Sequence, residues 1–336
     1  REDAFRIAVQ ILEQSATAEQ AGAAYADLAE TCVIAMAEVA LEEVERQHGP
    51  QPGSFTVLAL GKFGGRELAE GSDLDLMLVY DAPTENGSPS DFYTRLTQRL
   101  ISALSAPTEE GSLYEIDTKL RPSGSKGPVA VRLSSFERYY AEEAWIWEMQ
   151  ALTRLRAVAG DQSLGACAQA TARTAIARQR DRAKTLQDVA DMRARMDRDR
   201  PSSNHWDLKL APGGFVDIEF AAQALQLVAN DESVIVANTG EALARLAEPA
   251  EEEAGHLPER IEAETAGHHR ITDEMAREEP EIRRDVEFRH HMALAVFAAV
   301  FRNLGDAVHH QHGRFGKLGV AGAEQLSASA FQKVVA

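Results

Sequence analysis

The chain has 336 residues, of which 44% are hydrophobic, and its 53 acidic against 35 basic residues give a formal net charge of −18. That apolar content is enough for a sizeable core and excludes global disorder. The acid excess disfavours a general nucleic-acid binder and a protein that docks on anionic membranes, because both attach through Lys and Arg.

Cysteine usage and the absence of a long apolar segment indicate a location. Cys32 and Cys167 lie far apart and neither belongs to a CxxC pair, so no disulfide framework or thiolate zinc site is expected. The apolar run Met292–Phe301 is too short to span a bilayer. We therefore predict a protein of the reducing cytoplasm, with no membrane or nucleic-acid partner. A start at Arg1 suggests a fragment of a longer polypeptide or an expressed domain.

The predicted elements change character along the chain. Apolar residues recur at helical spacing over residues 1–48, and the glycines and prolines of His48–Gly53 end that pattern. The predicted elements that follow are strands at Phe55–Leu60 and Asp73–Tyr80, a helix at Ser90–Ala103, and strands at Leu113–Leu120 and Pro128–Arg132. This alternation predicts a small mixed sheet in the middle of a largely helical chain.

From about Glu142 onward the sequence is again helical. The predicted helical stretches include Leu164–Arg200, Phe215–Leu227 and Asn238–Leu246. The expected division is an N-terminal helical segment at 1–50, a sheet-containing domain at 51–160 and a helical domain at 161–336. The fold class is therefore α+β, a small sheet embedded in helices with a helical bundle at the C-terminal end.

A glycine turn followed by two aspartates is the sharpest chemical feature. Gly64 and Gly65 precede Asp73 and Asp75, which lie at the start of a predicted strand. Residues two apart on a strand point to the same face, so these carboxylates repel each other unless a cation lies between them. Hard divalent ions such as Mg²⁺ accept this donor set and keep phosphate oxygens as further ligands. We predict a metal site here, with the glycines letting backbone N–H groups approach phosphate; the plainer alternative is an ordinary acidic strand end.

A third carboxylate lies on the next predicted strand. If this strand pairs beside the one that carries Asp73, Asp117 reaches the same cluster, and three carboxylates can hold two ions. Glu115 has the same parity and is an alternative ligand. Asp117 as an ordinary strand-end residue is the remaining alternative.

Five ordered motifs resemble a known family. They are Gly61–Leu68, Ser72–Leu76, Asp117–Gly127, Glu143–Arg154 and Asp207–Phe220. The glycine pair and the three aspartates resemble the nucleotidyltransferase superfamily related to DNA polymerase β. The five motifs together are similar to glutamine synthetase adenylyltransferases, from about Thr56 to Leu246. The segment Glu143–Arg154 resembles the adenylylating, C-terminal half of those two-half enzymes.

This resemblance implies a specific reaction and specific partners. It implies that two Mg²⁺ ions bound by Asp73, Asp75 and Asp117 hold ATP, whose AMP passes to a tyrosine hydroxyl of glutamine synthetase while pyrophosphate leaves. It also implies regulation by glutamine and by the PII signal protein. Two alternatives stay open, namely the half that removes AMP by phosphorolysis and a docking module without catalysis.

Other residues are weaker candidates for the site. The predicted nucleotide-binding residues are Gly64, Gly65, Lys62, Ser72 and Arg121, with Lys126 a further candidate. For the basic residues the alternative is solvation at the surface. Lys62 does not belong to a P-loop, because Phe63 follows it where Ser or Thr would be needed.

Several side chains are expected to have structural roles. Arg154 and Arg156 lie two apart on a predicted helix, so only one of them is expected to face the site. Trp145 and Trp147 are expected to pack in the core. The arginines of Met192–Met196 are expected on a solvated helix face.

The C-terminal part lacks recognisable motifs. Glu248–Glu287 contains 14 acidic and 5 basic residues, a net charge of −9 that is half of the total. Eight of the ten histidines follow Gly255, but no carboxylate or cysteine spacing completes a metal site around them. The family resemblance ends at about residue 248.

Overall fold

The structure, a computed structural model, describes residues 1–83, 88–109, 111–201, 207, 209–210 and 214–253. Their contacts divide them into two compact units. The first contains Arg1–Gln179 and Asn230–Asn238, and the second begins at Arg180 and resumes at Thr239. The predicted C-terminal bundle and the late histidines lie outside the described residues.

Two helices open the first unit, as predicted. They are α1 (Glu2–Leu12) and α2 (Ala18–His48). Thr17 caps α2 by accepting a hydrogen bond from the backbone N–H of Gln20, whose side chain returns a bond to Thr17. The helix α2 ends before Gly49, which has a φ of +88° that favours glycine.

The sheet is built around two central antiparallel strands. Strands β1 (Ser54–Ala59) and β2 (Leu74–Asp81) pair from Ser54 opposite Asp81 to Ala59 opposite Leu76. Both strands are buried almost throughout, which explains their continuous apolar sequences. Between them lies the single turn of α3 (Gly61–Gly64).

Two short strands pair parallel to β2. They are β3 (Ile116–Asp117) and β4 (Ala130–Arg132), joined through a 3₁₀ turn at Gly124–Lys126. Strand β1 pairs with one edge of β2, over Leu76–Asp81. The strands β3 and β4 therefore pair with the opposite edge of β2. The predicted strand at Leu113–Leu120 is thus confirmed in position but is reduced to two paired residues.

The fifth strand contradicts the sequence-based prediction. The short helix α6 (Ile146–Leu152) is followed by β5 (Arg156–Gly160), which pairs antiparallel with the edge of β1 that β2 leaves open. A helix was predicted here because Ala and Arg favour helices locally. Pairing with β1 overrides that weak preference, since it satisfies the backbone groups of a buried edge.

The remaining helices of this unit cover the sheet. They are α4 (Pro89–Ser105), α5 (Leu133–Glu142) and α7 (Gln162–Ala177). The helix α2 packs on α4 and β5, and α7 packs on β1 and β5. These contacts bring the N-terminal helices and α7 into the same unit as the sheet, so the compact units divide the chain elsewhere than the sequence-based boundaries.

The second unit is helical over its described residues. It contains α8 (Arg182–Asp199), α9 (Phe215–Val228) and α10 (Thr239–Glu253), and α9 packs on both of the others. Arg193 of α8 pairs with Asp217 of α9 and with Asp197, 2.6 Å away. Arg193 was therefore wrongly expected on a solvated face. The α+β class is confirmed, and no described helix has the length and apolar composition needed to cross a membrane.

Candidate active site

The sheet brings the predicted carboxylates to one edge. In the parallel pairing of β2 with β3, Asp75 stands directly opposite Asp117, and the N–H of Leu74 donates to Glu115 O at 2.9 Å. Asp73 immediately precedes β2 and is exposed. The condition for Asp117 to join the cluster, that its strand pairs beside the strand that follows Asp73, is thus met.

The side chains of these carboxylates have other partners in the structure. The Asp75 carboxylate lies against the α-carbon of Gly61, at which an added Cβ would overlap Asp75 Oδ2. Asp117 accepts hydrogen bonds from Lys119 at both oxygens, from the backbone N–H at 2.7 Å and from Nζ at 2.6 Å. Burial raises the pKa of Asp117, but the bonds from Lys119 and the charges of Lys119 and Arg121 together lower it by more, so that its pKa lies below the ordinary value.

The donor chemistry of this edge fits a hard divalent cation, because all three predicted ligands are carboxylates. Within the described ranges, however, no group of three or more Asp, Glu, His or Cys side chains is arranged to hold a metal ion. Metal binding by Asp73, Asp75 and Asp117 therefore stays a prediction.

The glycine turn is built for close packing. The N–H groups of Gly64 and Gly65 donate to Leu60 O at 2.8 Å and Gly61 O at 3.1 Å, so the turn itself uses them. An added Cβ on Gly64 would overlap the carbonyl oxygen of Arg154, and one on Gly65 would lie 2.5 Å from Arg154 Nη2. Contact with Arg154 thus explains why both positions are glycine. Phosphate binding by Gly64 and Gly65 stays a prediction.

Two arginines contact this turn, and the sequence did not predict these contacts. Arg154 is only 3% exposed and forms an ion pair with Glu67. Arg156 pairs with Glu30 of α2 at 2.5 Å. Arg154 lies in a turn after α6 and Arg156 begins β5, so the helix predicted over them was wrong, and the expectation that only one of them faces the site stays a prediction. The partners are 87 and 126 residues away, distances over which sequence periodicity carries no information.

Arg121 holds a loop together. It is 6% exposed, and its guanidinium donates to Thr118 O at 2.7 Å, Thr118 Oγ1 at 3.0 Å, Pro128 O at 3.0 Å and Gly127 O. Burial lowers the pKa of Arg121, while the charge of Asp117 raises it. These bonds explain its burial, and phosphate binding by Arg121 stays a prediction.

The other predicted nucleotide-binding residues are less constrained. Lys62 is half-buried, and Lys126 is exposed on the 3₁₀ turn. The Ser72 hydroxyl accepts a hydrogen bond from the N–H of Ala69 at 3.1 Å, within its own loop. Binding of phosphate by Lys62, Ser72 and Lys126 stays a prediction.

A buried carboxylate joins α5 to α6. Glu148 is 2% exposed and accepts hydrogen bonds from Tyr139 OH at 2.7 Å and from the N–H of Trp145 at 2.9 Å. Trp145 itself is 70% exposed, so its expected place in the core was wrong. Its backbone caps α6 while its ring remains in solvent, and Trp147 is half-buried.

The small mixed sheet pairs Asp75 with Asp117 on adjoining strands, which is the arrangement that the sequence predicts for a nucleotidyltransferase core. Residues 1–171 match the family model described as glutamate-ammonia ligase adenylyltransferase. The chain belongs to this family. Residues 182–294 match a second model, described as PII-uridylyltransferase, which extends past residue 248, where no motif was recognised.

Curated relatives are similar over most of the chain. Three are named bifunctional glutamine synthetase adenylyltransferase/adenylyl-removing enzyme. The protein of Caulobacter vibrioides is 51% identical over 272 residues, which are 78% of this chain and 28% of the relative. The protein of Rhizobium meliloti is 47% identical over 68% of this chain and 24% of its own length. That of Agrobacterium fabrum is 45% identical over 75% of this chain and 27% of its own length. The chain thus spans about a quarter of the length of these relatives.

Proposed function

We propose that this chain transfers AMP from ATP to a tyrosine hydroxyl of glutamine synthetase and thereby controls nitrogen assimilation. The observation that carries the proposal is the pairing of Asp75 with Asp117 at one sheet edge, in a chain of the adenylyltransferase family. The relatives' names support glutamine synthetase as the target and adenylylation as the reaction.

The proposed reaction is an in-line displacement at phosphorus. The tyrosine oxygen forms a bond to the α-phosphorus of ATP, the bond from that phosphorus to the bridging oxygen breaks, and pyrophosphate leaves while the tyrosine proton passes to solvent. Asp73, Asp75 and Asp117 would hold Mg²⁺, whose charge would offset that of the phosphates, and the resemblance implies two such ions. Catalysis of this kind depends on positioning and charge neutralisation.

The relatives' double name keeps adenylyl removal as the second candidate. In adenylyl removal, inorganic phosphate would attack the phosphorus of the tyrosine-bound AMP, and ADP would leave with the tyrosine oxygen restored. The same carboxylates would serve both reactions. We assign the chain to the adenylylating half because of the resemblance in Glu143–Arg154.

Regulation and location complete the proposal. The resemblance supports glutamine and the PII signal protein as effectors, and the match of residues 182–294 to a PII-uridylyltransferase model indicates where PII binding should be tested first. Cys32 and Cys167 are free thiols, which supports a reducing compartment such as the cytoplasm.

The test is transfer of label from α-labelled ATP to glutamine synthetase in the presence of Mg²⁺. We expect Asp73→Asn and Asp117→Asn to reduce labelling about 100-fold or more, because each removes a carboxylate charge that would hold the Mg²⁺ whose own charge offsets that of the phosphates. Glu115→Gln is the matched control, since Glu115 is exposed and two residues from Asp117. It should label normally.

The other outcomes separate the alternatives. Loss of labelling in Glu115→Gln with activity kept in Asp117→Asn would make Glu115 the ligand. If the chain does not label glutamine synthetase but releases ADP from adenylylated glutamine synthetase when phosphate is added, it belongs to the removing half. Absence of any ATP or Mg²⁺ binding would leave a docking module.

A further inference from the structure

Two arginines at or just before the start of β5, Arg154 and Arg156, contact the turn Gly61–Gly65. Arg154 places its carbonyl oxygen against Gly64 and its guanidinium against Gly65. Arg156 donates to Phe63 O and Gly64 O, each at 3.4 Å, and its guanidinium lies 5.6 Å from the centre of the Phe63 ring. The two side chains therefore contact three consecutive residues of the turn.

Each arginine is fixed by a carboxylate from a different element. Arg154 pairs with Glu67, which follows the turn, and Arg156 pairs with Glu30 of α2. The Arg154 side chain is almost completely buried, so a water molecule cannot replace either partner freely. A planar guanidinium presents its donors in a fixed fork, which a lysine cannot reproduce. This geometry makes the position of the turn dependent on Arg154.

The same turn contacts Asp75 on its other side. Leu60, at the entry to the turn, donates its N–H to Asp75 O at 3.0 Å. The Asp75 carboxylate packs on the α-carbon of Gly61, whose φ of +53° lies in the left-handed region. A displacement of the turn therefore moves the surface against which this carboxylate rests.

We propose that Arg154, held by Glu67, is a positioning residue that sets the Asp75 carboxylate through the turn Gly61–Gly65. The proposal rests on the proposed function, in which Asp75 takes part in phosphate transfer. Arg154 acts through the backbone of the turn, as the supporting residues of a site commonly do.

The test compares Arg154→Met, Arg154→Lys and the double variant Arg154→Met/Glu67→Gln in the full chain. Arg154→Met leaves the Glu67 charge without its partner and is expected to be the least stable. The double variant removes both charges and should recover much of that stability. If Arg154 positions Asp75, the kcat of the double variant should nevertheless stay at least about tenfold below that of the wild type, with an unchanged KM for glutamine synthetase.

A second measurement does not depend on activity. The amides of Gly64, Gly65 and Glu67 are bonded within the turn, so their hydrogen exchange reports its order. We expect faster exchange there in the double variant, and in Arg154→Lys, than in the wild type. Arg66→Met is the matched control, because Arg66 follows the same turn but pairs with the exposed Asp27 at the surface. Its kcat and its exchange at these amides should match the wild type.

A folded double variant with wild-type kcat and unchanged exchange at these amides would overturn the proposal. A loss of kcat as large in Arg66→Met would also overturn it, since any change near the turn would then suffice. If the wild-type chain transfers no AMP, the proposed function fails, and the exchange measurement alone decides whether Arg154 orders the turn.

Discussion

At the scale of single residues, two separable reasons can explain the glycines at Gly64 and Gly65. Gly64 and Gly65 were predicted as glycines that admit phosphate, and the structure shows that they admit Arg154. The sequence identified the special positions correctly because only glycine tolerates such close approach. It could not identify the approaching group, because Arg154 is 90 residues farther along the chain than Gly64.

The packing of Gly64 makes a prediction about stability. We expect Gly64→Ala to lower the free energy of unfolding by about 3 kcal/mol, because the added methyl group meets the backbone of Arg154 and one of the two must move. Urea denaturation measures the change.

The matched control is Gly71→Ala. Gly71 has a φ of +73° but no heavy atom within 4 Å of an added Cβ, so only backbone strain of about 1 kcal/mol is expected. Equal losses in the two variants would show that strain, and not contact with Arg154, explains the glycines.

Among the site residues, the structure tests only the pairing of the strands that carry the carboxylates. Asp75 stands opposite Asp117, which meets the condition set for Asp117 to join the cluster. A shared face of Asp73 and Asp75 stays a prediction, since β2 begins at Leu74. The bonds of Lys119 to Asp117 and of Arg121 to the Thr118–Pro128 loop were not foreseen. They depend on side-chain directions within a tight loop, which residue spacing does not specify.

At the scale of elements, most predictions were confirmed, the short strand β4 included, whereas the predicted helix Leu164–Arg200 forms two helices, α7 and α8. The helices α2, α4 and α9 and the strands β1 and β2 lie where the sequence indicated them. Strand β5 was missed because its five residues have little β preference of their own. Its pairing with β1 is a tertiary contact that decides an otherwise ambiguous segment.

The junction between β5 and α7 makes a prediction about pH. Asp161 caps α7, and the hydrogen bond from the N–H of Leu164, followed by that from Ser163, lowers the pKa of its carboxyl. A lowered pKa means that the charged cap stabilises the fold above the ordinary Asp pKa of about 3.9. This contribution is lost as the pH falls through the lower folded-state pKa.

Thermal unfolding of Asp161→Ala and Asp161→Asn checks this prediction. At neutral pH we expect Asp161→Ala to have the lower Tm, since Asn keeps a capping oxygen. The difference in Tm between wild type and Asp161→Asn should shrink as the pH is lowered below about 4. A difference that is constant with pH would contradict the assigned role of the Asp161 charge.

At the scale of the whole molecule, the chain is organised as two units. The first family match ends at residue 171 and the second begins at 182, on either side of the boundary after Gln179. The sequence-based boundaries at 50 and 160 reflected changes in composition. Contacts of α2 and α7 with the sheet group the elements differently, because each of these helices buries an apolar face against it.

The division into units predicts a local response to mutation. Arg193→Met removes the ion pairs with Asp217 and Asp197 and the bond to Leu210 O. We expect a loss of about 2 kcal/mol in the second unit, because Arg193 is largely buried and its partners lose a charged donor. Hydrogen exchange should become faster in α8 and α9.

The amides of β1 and β2 serve as the internal control for Arg193→Met. They belong to the first unit and should exchange as in the wild type. Faster exchange throughout both units would mean that the two unfold together, contrary to this prediction.

The sequence by itself determined the α+β class, the positions of the long helices and central strands, and the carboxylates that define the candidate site. These features follow from periodicity, alternation and residue chemistry, which are local. Only the tertiary structure decided that β5 completes the sheet, that Arg121 holds a loop and that Arg154 supports the glycine turn. Each of these depends on groups brought together by folding from distant parts of the chain, or on side-chain directions set by packing, and neither is encoded in local spacing.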